Sequence, residues 1–429
     1  MRRIVFVGLG DVEVVRRVLS DLLLAPELRG ELEIVLHDAD PGLLATAEAL
    51  VKSLDAEADG RASIVAAPDR RRALDGAAFV VADVDVGGFE ATLKDFEIPH
   101  RYGLRQTIGD TIGIGGIFRG LRSIPVFVEL GREMARRCPQ AWLLSVSDPM
   151  AMTGLAVQLG TDFTRFAGSC HAVCDTHIYL ADLVGRELEE VEFRTAGLNH
   201  QSFVLSFEAG GRSLYPDLDE ALAGDDEHVR VEIYRRFGYF PTQSSEHAAE
   251  YFPWFMRHQG ETSRLNVQAE EYLRRSGQSL HRYEETRRAL SAGRSLLVRW
   301  QHQEPASVAL LAMLTGRPKE VYVNVANDGL IANLPREACV EVPARVDASG
   351  IHPERIGELP IQLVALNRTF LNVVELTVRA VLTGERRHVL HAAMVDPNTA
   401  ATLPLPAIEA MCGELIAAHG DLLPEGIRR

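Results

Sequence analysis

One short stretch near the N-terminus constrains the fold more than any other. Ile4–Val7 is an apolar, partly β-branched run that leads into Gly8-Leu9-Gly10. A helix-like segment follows over 12–24, then a second apolar run, Leu32–Leu36, ending in His37-Asp38-Ala39-Asp40. Strand, glycine turn, helix, strand and acid in that order open a dinucleotide-binding βαβ unit. Gly8 permits the tight turn, and Gly10 lets backbone N–H groups approach a pyrophosphate at the helix N-terminus. Asp38, 28 residues beyond Gly10, is placed to take the adenosine ribose hydroxyls, which favours NAD over NADP. Glu13 occupies the third glycine position. The turn by itself therefore also reads as a tight turn in some other α/β protein.

Further alternation extends the α/β reading. Ile64–Ala67, Phe79–Val84 and Ala141–Val146 are short buried-strand patterns separated by helical stretches. The fold expected is a Rossmann-type doubly wound parallel sheet over residues 1–192, followed by a mixed α/β unit over 193–429. In the second half Phe193–Ala196, Ser202–Glu208, Tyr322–Val325 and Cys339–Val342 read as strands, with Pro343 closing the last. Glu261–Leu314 reads as mostly helical, and Ile361–Ala380 as a long amphipathic helix.

Composition narrows the partners. With 45 Lys plus Arg against 60 Asp plus Glu, the net charge of −15 argues against nucleic acid or an anionic membrane surface. No apolar run reaches the roughly 18–20 residues of a membrane span. The five cysteines, few and odd in number, suit a reducing cytoplasm rather than a disulfide scaffold.

Three stretches carry side chains suited to chemistry. Gly109–Arg119 is dense in glycine and bracketed by Asp110 and Arg119, the pattern of a loop folding over a ligand. In Gly168–His177, a helical reading puts Cys170, Cys174 and His177 on one face as a closed zinc site. A second reading leaves Cys170 to pair with a distant ligand, and a third makes the cysteines small buried hydrophobes. In Ser244–Tyr251, Ser244 could cap a helix, with His247 and Tyr251 facing the same way. A tyrosine there would need a nearby cation to act as a base.

Taken in order, these pieces resemble glycoside hydrolase family 4, the NAD- and metal-dependent glycosidases. The matches run through Gly8-Leu9-Gly10, Asp95–Pro99, Tyr102–Leu104, Gly109–Arg122, Asp148–Ala151, Cys170–Val173, Gly197–His200 and Ser244–Tyr251. They continue through Asn324–Gly329, Leu334-Pro335 and Asp396-Pro397. The resemblance implies a lactate/malate dehydrogenase-like fold and an oxidation–elimination chemistry. NAD takes hydride from C3 of the sugar, a tyrosine removes the C2 proton, the glycosidic oxygen leaves C1, water adds, and the hydride returns. Carried over, Cys170 and His200 match the ligands of a divalent metal, Mn2+ or a substitute, and Tyr251 the C2 base. His171 is placed as proton donor to the leaving group, and Asn199 as a contact to sugar hydroxyls. Gly8, Gly10 and Asp38 would hold NAD, and Arg105, Arg119 and Arg122 could hold an anionic sugar. The family usually reads Asn-Pro-Met where this chain has Asp148-Pro149-Met150, putting a carboxylate beside the sugar's C2–C3 edge, the cofactor or the metal.

His171-Ala172-Val173 after Cys170 resembles members acting on unphosphorylated α-hexosides: an α-galactoside, α-glucoside or α-glucuronide, with a sulfonated sugar as the alternative. A 2-hydroxyacid dehydrogenase and a non-catalytic NAD-binding sensor are the competing readings. The resemblance also implies a homodimer or homotetramer in the cytoplasm.

Overall fold

The structure is a computed structural model and describes residues 1–224, 228–299 and 304–429. Six strands form its first half: β1 Arg2–Val7, β2 Leu32–His37, β3 Ser63–Ala66, β4 Phe79–Ala82, β5 Trp142–Ser145 and β6 Phe166–Gly168. All pair in parallel in the order β3-β2-β1-β4-β5-β6, which is the Rossmann order. Burial explains the composition of the central strands. Ile4–Val7, Ile34–Leu36 and Phe79–Ala82 are covered on both faces, so they read as continuous apolar runs rather than alternating ones.

The remaining strands are antiparallel: β7 Glu192–Leu198, β8 Gln201–Ala209, β9 Arg212–Ser213, β10 Phe240–Pro241, β11 Lys319–Ala326, β12 Cys339–Asp347 and β13 Gly350–Pro353. They continue the same sheet as β6-β11-β12-β7-β8-β10, with β9 on β8 and β13 on β12. The joins are narrow. β6 meets β11 at Gly168 opposite Asn324, and β12 meets β7 at Glu341 opposite Gly197. Both joins lie a few residues from Cys170 and His200. The chain is thus α/β, with a doubly wound parallel sheet and a mixed second half.

Several expectations change in detail. β12 runs through Pro343, which sits opposite Tyr322 in β11. The proline is tolerated because β13 joins the other edge of β12 only from Ala344 onward, so no N–H is needed there. The helical reading of Glu261–Leu314 resolves into Gln259–Arg264, Glu271–Ser291 and Pro305–Thr315, with irregular backbone over 292–299. Its part over 300–303 lies outside the described residues.

The glycine-rich stretch is not an open lid. Only 109–112 is loop, and a buried helix, Gly113–Arg137, starts at once. A Cβ on Gly115 would lie 2.3 Å from the Gly109 carbonyl oxygen. The glycines therefore let the loop fold back onto the first turn. Helix Ile361–Thr383 packs across Gly113–Arg137 and Met150–Gly160 and backs the site from below. Among the described residues no helix is long and apolar enough to cross a membrane.

Candidate active site

Cys170 and His200 come together although they belong to different halves of the sheet. Cys170 lies just past β6. His200 is at the two-residue turn between β7 and β8, in the left-handed region at φ +63°, a conformation that stores strain and clusters at functional sites. Cys170 Sγ is 3.3 Å from His200 Nε2, and Asp148 Oδ2 is 3.8 Å from the same nitrogen. Burial, with Glu341 and Asp148 nearby, pushes the Cys170 thiol well above its ordinary pKa. Burial likewise raises Asp148, against the opposing charge of His200.

The other ring nitrogen fixes the tautomer. Thr111 Oγ1 donates to Asp110 Oδ1 at 2.6 Å and lies 2.8 Å from His200 Nδ1. With its hydroxyl proton committed, Thr111 accepts from Nδ1–H, which leaves the Nε2 lone pair facing Cys170 and Asp148. Tyr251 Oη is 3.4 Å from the same Nδ1 and is buried, its ring edge-on to Phe370. Burial, and the Asp110 and Glu250 carboxylates, push the Tyr251 pKa well above 10. A cation beside it must supply the pull toward phenolate.

Residues of the 109–112 loop and the Ser245–Glu250 helix face each other, a pairing the sequence alone did not reveal. Glu250 accepts from Thr107 N at 2.9 Å and Gly109 N at 2.6 Å, and Thr107 Oγ1 donates to the Glu246 carbonyl. Burial raises Glu250 to about 8, against those two N–H bonds. Ser244 does not cap the helix through its side chain. Its hydroxyl meets His247 Nδ1 at 3.1 Å instead, and His247 Nε2 is 3.6 Å from Asp110. Asp110, His200 and His247 present donor atoms within 4.8 Å of one another, a second grouping that could hold a metal. Behind the turn, Glu341 is fully buried and accepts from Ser202 and Asn324. Asn199 is also fully buried, its side chain beside Cys170 and Glu341.

The cofactor crevice opens at the carboxyl ends of β1, β2 and β4. Gly8 sits at φ +83°, and a Cβ there would meet the Asp83 carbonyl oxygen at 2.0 Å, so glycine is obligatory. A Cβ on Gly10 would meet nothing within 4 Å among the described residues, which leaves the helix N-terminus open to a phosphate. Asp38 accepts from Leu9 N and Asp40 N, each at 2.8 Å. It therefore braces the glycine turn while keeping lone pairs for a ribose. Asp83 Oδ2 is buried in this crevice without a partner among the described residues. Burial and the neighbouring Asp11 and Asp85 raise its pKa well above the usual range.

The other predicted residues are distributed less closely. Arg119 is held by Tyr272 Oη at 2.8 Å, the Asp148 carbonyl at 3.2 Å and Asp85 at 3.5 Å. His171 is exposed, 3.8 Å from Asp175, on a cavity of about 780 Å³ shared with Asp11, Arg17, Arg288 and Glu304. Cys170 precedes the Ala172–Leu183 helix, so it shares no helical face with Cys174 and His177. His177 stacks on Phe193 and meets Thr195 Oγ1 at 2.8 Å, a packed neutral ring held to a pKa of about 3 by burial. Arg122 makes a fully buried bidentate pair with Asp95, joined by His419, and Arg105 is bonded to Gln259 and the Met256 carbonyl.

Residues 3–186 match the family described as "Family 4 glycosyl hydrolase", and residues 195–399 match "Family 4 glycosyl hydrolase C-terminal domain". An alpha-galactosidase of Bacillus subtilis (strain 168) is 39% identical, over 99% of this chain and 100% of its own. An alpha-galactosidase of Rhizobium meliloti (strain 1021) is 32% identical, over 99% of this chain and 89% of its own. A crystal structure of a 6-phospho-alpha-glucosidase from gut microorganisms, in complex with NAD and Mn2+, shares the fold. Its TM-score is 0.82 at 18% identity, covering 99% of each chain.

Proposed function

The chain belongs to the family 4 glycosyl hydrolases, and on that premise we propose that it hydrolyses an unphosphorylated α-hexoside, an α-galactoside first, using NAD and a divalent metal. The observation that carries this reading is the Cys170–His200 contact with Tyr251 on the far side of the same imidazole. The two alpha-galactosidase relatives support the choice of sugar. Division of the chain near 192/193 into a cofactor unit and a second unit belongs to the same proposal, as does work as a homodimer or homotetramer in the cytoplasm.

The residues fit both groups. The open glycine turn, Asp38 and the unpaired Asp83 oxygen suit a dinucleotide. Thiol, imidazole and carboxylate suit a divalent transition metal with open positions for substrate. When bound, NAD supplies reversible oxidation at C3 and the metal supplies Lewis acidity there.

The chain's own residues do the rest. Cys170 and His200 Nε2 hold the metal. Tyr251 Oη takes the C2 proton, and Asn199 meets the sugar hydroxyls. His171 delivers a proton to the leaving oxygen from the exposed side. Gly8, Gly10 and Asp38 seat the cofactor. Arg119 fixes the Asp148 backbone and the start of the Glu271–Ser291 helix at the site's edge, with the Asp148 carboxylate beside the sugar and cofactor. Because Arg105 and Arg122 are already engaged, a neutral hexose suits the site better than a sulfonated one.

The test is nitrophenol release from a panel of aryl α- and β-glycosides, with NAD and Mn2+ supplied together and singly omitted. Turnover of the α-galactoside that requires both is expected. Turnover indifferent to NAD would sink the chemistry even though the family stands.

A further inference from the structure

We propose that Asp148 is a third protein ligand of the metal, so that this chain holds its cation before any sugar arrives. This rests on the Cys170–His200 reading above.

Among the described residues Asp148 has no ion pair closer than 3.8 Å: Oδ1 receives a long contact of 3.4 Å from Met150 N, and Oδ2 faces His200 Nε2 at 3.8 Å. Arg119, the nearest guanidinium, spends its Nε on the Asp148 carbonyl rather than on the carboxylate. A carboxylate left 22% exposed in that position is one a cation can reach, and it gains from being paired. The nitrogen it faces is the one whose lone pair Thr111 leaves free, and Cys170 Sγ is 3.3 Å from that same nitrogen. With metal–donor bonds of roughly 2.0–2.3 Å, neighbouring donors of one shell lie roughly 3–4 Å apart. Both distances from His200 Nε2 fall in that range.

Charge points the same way. A thiolate and a carboxylate with a neutral imidazole balance a divalent ion to zero, where a thiolate and imidazole alone leave one positive charge enclosed. Asp148 lies on the Nε2 side, whereas Thr111 and Tyr251 lie on the Nδ1 side of the ring. Asp148 therefore adds to the Cys170 pair without displacing the base. A third protein ligand also makes the resting metal less dependent on substrate oxygens.

The experiment titrates Mn2+ into metal-stripped protein without sugar, following the free-ion electron paramagnetic resonance signal. The set is wild type, Asp148→Asn, Cys170→Ser and His247→Gln, each checked for an intact fold without metal by circular dichroism. Asp148→Asn keeps size and shape but loses the charge. It is expected to weaken Mn2+ binding at least tenfold, as is Cys170→Ser, while His247→Gln stays within threefold. A Co2+ titration of Asp148→Asn should keep the thiolate-to-metal absorption but shift its visible bands. Wild-type affinity in Asp148→Asn alongside a loss in Cys170→Ser would overturn the Asp148 assignment alone. Loss in His247→Gln with none in Cys170→Ser would place the ion with Asp110 and His247, overturning the underlying reading as well.

Discussion

Thr111 decides which nitrogen of His200 is free. Its hydroxyl is anchored by Asp110 and receives Nδ1–H, the outer-shell contact that orients a metal-binding imidazole. Thr111→Val keeps the shape and removes the acceptor, and should cost about 10–100-fold in Mn2+ affinity, measured by titration of the stripped protein. Tyr251→Phe should instead leave Mn2+ and NAD binding intact. It should lower kcat by about 10²–10⁴-fold and abolish exchange of the C2 proton into deuterated water. Glu250 gives a pH signature. Its pKa is raised from 4.5 to about 8, so the folded chain binds the proton more tightly than the unfolded one. That contribution is complete below about pH 4.5 and is lost as pH rises toward 8. Urea unfolding from pH 5 to 9 should show wild type losing stability relative to Glu250→Gln over that window. Parallel curves for the two proteins would contradict it.

At the scale of elements, the first turn of the Gly113–Arg137 helix is the part most sensitive to added bulk. Gly115→Ala would drive a methyl into the Gly109 carbonyl. Backbone cannot swing aside as a side-chain tip can, so a loss of about 1–3 kcal/mol is expected in urea titration, together with weaker Mn2+ binding as Thr111 shifts. The same element shows where the sequence stops being legible. Strand, glycine turn and acid were readable because each is local: Gly8 and Asp38 announce themselves by spacing. The glycines of 109–116 looked like a lid because sequence records their freedom but not what they pack against. In the fold that freedom lets a buried loop double back. Asp110, His247 and Glu250 were visible as chemistry-bearing residues. Their meeting depends on the 109–112 loop facing a helix well over a hundred residues later, and no local pattern encodes it. Arg122 misled for the same reason: its partners, Asp95 and His419, come from two separate helices.

At the scale of the whole molecule, one apolar cluster runs from Ile4 to Ile427 and includes strands of both halves. With the sheet also continuous, the two halves should unfold together. Trp142 in β5 and Trp254 beyond β10 report on different halves, so tryptophan fluorescence and far-ultraviolet circular dichroism should give coincident urea transitions. Separate midpoints would show that the halves melt independently. The narrow joins of β11 and β12 to β6 and β7 carry a further consequence, this one in time rather than space. Cys170 and His200 are both synthesised well before Lys319–Asp347, yet those later strands fill the space between β6 and β7. A nascent chain therefore leaves the ribosome with a bare thiol and an unplaced imidazole, and brings the two into contact only when its last third inserts. On the proposed assignment of the metal to this pair, its capture is a late event in biogenesis, and a chain cut short before β11 is expected to keep every residue of the pair and hold no ion.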